Sequence, residues 1–257
     1  MIVIGAGRVG TALAARAPEH GLSCTLIDRE SGWDALSGPQ GDPIVVAVRN
    51  PDLADVVRAT PQHRRDDLVF LQNGMIRETL AELGVARATR GLLYFAVPSR
   101  GAPVQPGRTS WFSGPHGLAV ARWLGTMGLV SRDVDWARFS FYELEKVSWL
   151  VAHGLLCTVH DCTVGEVAER HADTLLALAR ELGVIGRCAH GVDVDPEYLR
   201  DKLVDYSRSV PEWRASVKAW DWRDGWFQRQ AARHGVETPV HRELLRAAGF
   251  SDRLAQP

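Results

Sequence analysis

Three glycines, spaced as Gly5-Ala6-Gly7-Arg8-Val9-Gly10, follow directly on the apolar run Ile2-Val3-Ile4, and no other feature constrains the fold as much. A strand that turns at once into a helix needs a residue without a side chain at the turn, here Gly5. A second glycine, Gly7, lets a ligand's phosphates approach the backbone, and a third, Gly10, lets the helix pack on the strand. The helix N-terminus then presents unpaired N–H groups to a pyrophosphate. A second strand, residues 23–28, ends in Asp28, where a carboxylate can accept hydrogen bonds from the ribose hydroxyls of an adenosine. Together these signals predict a dinucleotide-binding βαβ unit with Gly5, Ala6, Gly7, Arg8, Val9, Gly10 and Asp28 at the cofactor. Asp28 favours NAD by repelling a 2′-phosphate. Arg29, with Arg49 as a second cation, would instead clamp that phosphate and favour NADP.

Further apolar runs at residues 44–49 (IVVAVR) and 68–72 (LVFLQ) read as strands buried on both faces, which belong in a parallel sheet covered by helices. Residues 91–97 and 110–113 extend that sheet, and the proline- and glycine-rich stretch 98–107 between them reads as a loop. After residue 135 the spacing becomes helical, over 141–160, 172–182, 196–207 and 223–234. The chain is thus expected to be α/β, with a Rossmann domain over 1–135 and an all-helical domain over 136–257.

Composition excludes some partners. A formal net charge of −1 gives no basic excess for nucleic acid. No apolar run approaches the roughly 18–20 residues that cross a bilayer, and the first strand begins right after Met1, so a cytoplasmic protein is expected. Cys24, Cys157, Cys162 and Cys188 form no Cys-x-x-Cys pair. His153, His160 and Asp161 lie near Cys157 and Cys162, but their spacing does not suit zinc, and no metal is expected.

Three later segments add a specific likeness: Gln72-Asn73-Gly74 after the fourth strand, Glu145-Lys146-Val147 at the opening of the long helix, and Asp224-Gly225 followed by His234-Gly235-Val236-Glu237-Thr238-Pro239-Val240. With the N-terminal glycines, in this order along essentially the whole chain, they resemble the ketopantoate reductase (2-dehydropantoate 2-reductase) family. The resemblance implies a 6-phosphogluconate-dehydrogenase-like architecture with the active site in the cleft between its domains. It implies NAD(P)H-dependent reduction of a small-molecule 2-oxo acid, with NADPH the family habit, and leaves a homodimer open. It also implies that Lys146 protonates the substrate carbonyl as hydride arrives, that Asn73 touches cofactor and substrate, and that Ser207 contacts the substrate carboxylate.

Leu150, Gly154, Val164 and Ala219 stand where the family carries polar groups, while Trp149, Trp213, Trp220 and Trp222 add apolar surface nearby. These departures point to a roomier, drier cleft than ketopantoate requires. They also fit a rival reading, a non-catalytic nicotinamide-binding sensor, against which the retained Lys146 and Asn73 speak. An amino- or imino-acid dehydrogenase would need a carboxylate-binding cation that the sequence does not single out.

Overall fold

A computed structural model describes residues 1–28, 30 and 32–254, so Arg29 lies outside the described residues. The chain divides into two compact units, Met1–Phe139 and Ser140–Pro257.

The first unit is built on a seven-stranded sheet in the order β2-β1-β3-β4-β5-β6-β7. Its strands are β1 (Ile2–Ile4), β2 (Thr25–Ile27), β3 (Ile44–Val46), β4 (Leu68–Phe70), β5 (Thr89–Leu92), β6 (Ser110–Ser113) and β7 (Ser131–Asp133). Only β5 and β6 pair antiparallel; all other neighbours are parallel. Helices α1 (Arg8–Glu19), α2 (Leu53–Ala59), α3 (Arg77–Glu82) and α4 (Gly117–Thr126) connect them. Val3, Val45 and Val69 of adjacent strands pack with Leu13, Ala17 and Leu124 in one core, each large side chain contributing about 1.5–3 kcal/mol.

The sheet departs from the sequence reading at one edge. β5 begins at Thr89 and leaves the ladder after Leu92, and residues 96 and 105 then meet in an isolated antiparallel bridge. β7, Ser-Arg-Asp, is an edge strand with no apolar face, so nothing in its pattern announces it.

The second unit is helical: α5 (Trp136–His160, whose first turn carries the unit boundary), α6 (Val164–Arg170), α7 (Ala172–His190), α8 (Pro196–Ser209), α9 (Asp224–His234) and α10 (Pro239–Ala247). Helix α7 continues well past Leu182, through Gly183 and Gly186. These glycines mark close packing rather than a helix end, since a Cβ on Gly186 would lie 2.4 Å from Leu144 Cδ2. Thr163 and Glu166 form a reciprocal capping box at α6. No single helix among the described residues is long and apolar enough to cross a membrane.

Candidate functional site

In the first unit, β1 lies between β2 and β3, so the strand order reverses there, the point beyond the carboxyl ends of the strands where sheets of this kind take a ligand. The three glycines at this point do different work. Gly5 has φ +110°, and a Cβ on it would lie 2.9 Å from both Ala47 O and Val48 Cγ1. On Gly10 a Cβ would come 1.9 Å from Gly5 O, so α1 packs against the turn only because that atom is missing. Gly7 is the contrast. It is the N-cap of α1, the nearest atom to its Cβ position is Ala47 O at 3.9 Å, and no side chain caps the helix. The fold itself leaves that space open, beside free helix N–H groups, as a pyrophosphate would require.

The other first-unit residues fall around this point. Gln72 Nε2 donates to Val46 O (2.9 Å) and Val48 O (3.0 Å), tying the end of β4 to the turn after β3. Asn73 follows on an exposed tight turn, its carbonyl accepting from Asn50 Nδ2 at 3.2 Å. Asp28 is half-buried just past β2, and its Oδ1 accepts from Glu30 N at 3.0 Å. Arg8 is exposed and donates to Pro98 O at 3.3 Å. The Arg49 side chain is 81% exposed and pairs with Asp52 at 3.2 Å, an interaction of little strength in water. Ala6 and Val9 are half-buried along the loop and first turn.

In the second unit Lys146 stands in the middle of α5 rather than at its opening, because the helix starts at Trp136. It is only 6% exposed. Burial, and next the positive charge of Arg223, bring its ammonium down to about 7, where it can both hold and release a proton near neutrality. Arg223 is itself half-buried, between the short 3-10 turn Trp220–Trp222 and α9. Burial also lowers its guanidinium, with Asp224 opposing.

Ser207 has a different position from the one the resemblance implies. It is fully buried, accepts from Trp149 Nε1 at 2.9 Å, and lies 2.7 Å from His153 Nε2 and 2.9 Å from Leu203 O. A hydroxyl has one proton and two lone pairs, so these three neighbours use its capacity. In this structure the Ser207 hydroxyl is taken up by partners within the core. Trp149 belongs to the same cluster, stacked on His153 (4.9 Å) and against Tyr206 (4.7 Å).

The apolar departures also separate. A Cβ on Gly154 would lie 3.2 Å from Ser216 O, so backbone already fills the space a side chain would take. Val164 is in the core, its N–H donating to Trp213 O at 2.9 Å. Leu150 is half-buried, and Ala219 is exposed with φ +50°. Two of the four supports for a roomier cleft are therefore removed. Trp220 stacks on Phe250 at 5.7 Å and Trp222 is half-buried, while Trp213 is exposed.

The C-terminal signature is architectural. Gly235 ends α9 with φ +63°, and the Glu181 carboxylate accepts from Val240 N (2.8 Å) and His241 N (2.9 Å) at the start of α10. Buried His241 and Asp224 meet at 3.2 Å. His160 stacks on His171 at 3.8 Å. Sequence reading missed Arg223, although its signal stood inside the segment Asp221-Trp222-Arg223-Asp224-Gly225.

No protein-family model and no curated protein sequence matches this chain. Solved structures do. D-mandelate dehydrogenase, in a ternary structure with NADH and anilino(oxo)acetate, is 16% identical with a TM-score of 0.76, and 99% of each chain is covered. The 2-dehydropantoate 2-reductase of Methylococcus capsulatus is 15% identical, TM-score 0.77, over 100% of this chain and 98% of that one. A dimeric ketopantoate reductase from Staphylococcus aureus is 16% identical, TM-score 0.74, over 98% and 99%. At these identities the likeness shows a shared fold: a Rossmann sheet unit followed by a helical unit.

Proposed function

We propose that this chain is a nicotinamide-dependent reductase that converts a 2-oxo acid to the 2-hydroxy acid. The observation that carries the reading is Lys146: a lysine buried to 6% exposure on a core helix, with its ammonium brought to about 7. Burying an ammonium is costly, and a sensor that only binds a dinucleotide has no use for it. The open space at Gly7, beside an uncapped helix N-terminus, fits a dinucleotide pyrophosphate.

When bound, the nicotinamide supplies a hydride to the carbonyl carbon. Lys146 holds the proton that the carbonyl oxygen takes up, and its positive charge stabilises the oxygen as negative charge develops there. Asn73, on its exposed turn after β4, is the residue that orients the carboxamide and the substrate. Asp28, just past β2, is assigned to the adenosine ribose, an assignment that favours NADH; Arg49, exposed and paired with Asp52, is the alternative group for a 2′-phosphate. A cytoplasmic enzyme, able to pair as the S. aureus reductase does, completes the reading.

The test is loss of NADH or NADPH absorbance over a panel of 2-oxo acids, from ketopantoate to aromatic analogues such as benzoylformate. Turnover of at least one acid, with the 2-hydroxy acid recovered, is the expected result. Tight cofactor binding with no turnover across the panel would instead identify a binding protein.

A further inference from the structure

Arg64 shows how this chain satisfies a buried arginine whose role is structural. Its Nε donates to Asp67 (2.6 Å), its Nη1 to Gly38 O (3.3 Å) and its Nη2 to Asp42 O (3.0 Å). Arg223 is treated differently. Its Nε is shielded from solvent and has no hydrogen-bond partner. Among the described residues no carboxylate lies within 4.0 Å of its guanidinium nitrogens, the distance of an ion pair. Neighbouring Asp224 directs Oδ1 to His241 instead, in a buried contact of 3.2 Å. A buried Nε–H with no acceptor, on a half-buried guanidinium, costs free energy unless an acceptor arrives.

The backbone holds Arg223 in this position. Ala219, with φ +50°, leads into the turn in a left-handed conformation that a non-glycine residue adopts only at a cost of about 1–3 kcal/mol. Arg223 itself has φ −131° and ψ −106°. Two residues further on, Gly225 lies against Trp220, whose Nε1 would be 2.5 Å from a Cβ there. Arg223 is therefore pinned between a packed tryptophan turn and the start of α9. It is close enough to Lys146 for its charge to be felt there. Two cations within electrostatic reach of one another repel, and an anion bound at either relieves that repulsion.

We propose that Arg223 is the carboxylate-binding residue of the site: its guanidinium takes the carboxylate of the 2-oxo acid, and Lys146 of the same helical unit serves the keto oxygen. This rests on the reductase reading and narrows it. The planar fork of an arginine suits the two oxygens of a carboxylate, so the substrate is an acid rather than a neutral ketone. The assignment also explains how a site can hold such an acid although Ser207 is consumed in the core.

The test is calorimetric titration of anilino(oxo)acetate, an unreactive 2-oxo acid analogue, and of its neutral ethyl ester into the protein with NADH. Wild type, Arg223→Met and Arg223→Lys are compared. Wild type should prefer the acid by about 10²-fold, as expected when a buried charged hydrogen bond is made or lost. Arg223→Met should abolish that preference without changing ester or NADH affinity, and Arg223→Lys should keep part of it. Kinetically the loss should appear mainly in KM. Equal acid affinity in wild type and Arg223→Met, or no acid preference in wild type, would overturn the assignment. The two readings fail separately. If no 2-oxo acid is reduced but Arg223 still selects the acid over the ester, the anion site stands and the reductase reading falls. If 2-oxo acids are reduced with the wild-type KM by Arg223→Met, the reverse holds.

Discussion

Ser207 Oγ lies 2.7 Å from His153 Nε2, and the indole of Trp149 donates to the same oxygen from 2.9 Å. Removing that oxygen leaves a buried indole N–H and an imidazole nitrogen without their partner. Ser207→Ala should therefore destabilise the protein by about 1–3 kcal/mol, read as a shifted denaturation midpoint. Its KM for 2-oxo acids should stay within a few-fold of wild type. A KM rise of about 10²-fold at unchanged stability would return Ser207 to the substrate.

The same cluster makes stability depend on acid. Burial holds the His153 imidazole down at about 4, against the Trp149 carbonyl, which favours the charged form. An unfolded histidine titrates near 6.5, so between about 6.5 and 4 the unfolded chain binds more protons than the folded one. Stability should then fall as pH drops through that window and level off below it, by about 3 kcal/mol in all. Urea denaturation at stepped pH reads the slope. His153→Gln, which cannot charge, should lose this part of it, and an unchanged slope in that variant would assign the acid lability elsewhere.

How far the sequence was legible follows from which forces act locally. The turn at Gly5–Gly10 could be read because strand, glycines and helix start are adjacent in the chain and each glycine has its own steric reason. β7 could not, because its Ser-Arg-Asp gains its place only by pairing with β6. Helical spacing is legible only over 172–182, whereas the helix runs on through Gly186, whose missing side chain admits Leu144 from another helix. Lys146 is singled out only through family likeness, and its burial is a tertiary fact that no local pattern announces. The burial of Ser207 was not legible because position in a motif does not say which way a hydroxyl faces. Arg223 escaped notice because its importance lies in what does not contact it.

The glycines of the first turn should separate folding from binding. Gly10→Ala puts a methyl 1.9 Å from Gly5 O, which α1 can relieve only by moving off β1, so the melting temperature should fall clearly. Gly7→Ala meets nothing closer than 3.9 Å and should melt within a few degrees of wild type. Its methyl would occupy the space the pyrophosphate needs, so NADH affinity should drop at least tenfold. Wild-type NADH affinity in Gly7→Ala would place the dinucleotide elsewhere.

Cofactor choice turns on Asp28. Its half-buried carboxylate, anchored by Glu30 N, would oppose a 2′-phosphate. Asp28→Ala should raise NADPH affinity relative to NADH, as fluorescence titration of the two cofactors would show. A wild type that prefers NADPH would mean that Asp28 does not face the ribose.

Lys146 links cofactor chemistry to pH. On the proposed mechanism reduction needs its proton, and burial first and Arg223 second bring its ammonium to about 7. The kcat/KM for reduction should therefore be flat below about pH 7 and fall roughly tenfold per unit above it. Oxidation of the 2-hydroxy acid needs the neutral amine and should show the opposite limb. Arg223→Met removes a neighbouring positive charge but not the burial, so its limb should move to higher pH without reaching the range of a free lysine. Lys146→Ala should lose about 10²–10⁴-fold in turnover while binding NADH normally. Stopped-flow measurement of the hydride step across pH, free of product release, reads the wild type and both variants. A limb that stays in place when Arg223 is replaced would show that the group titrating near 7 is not Lys146.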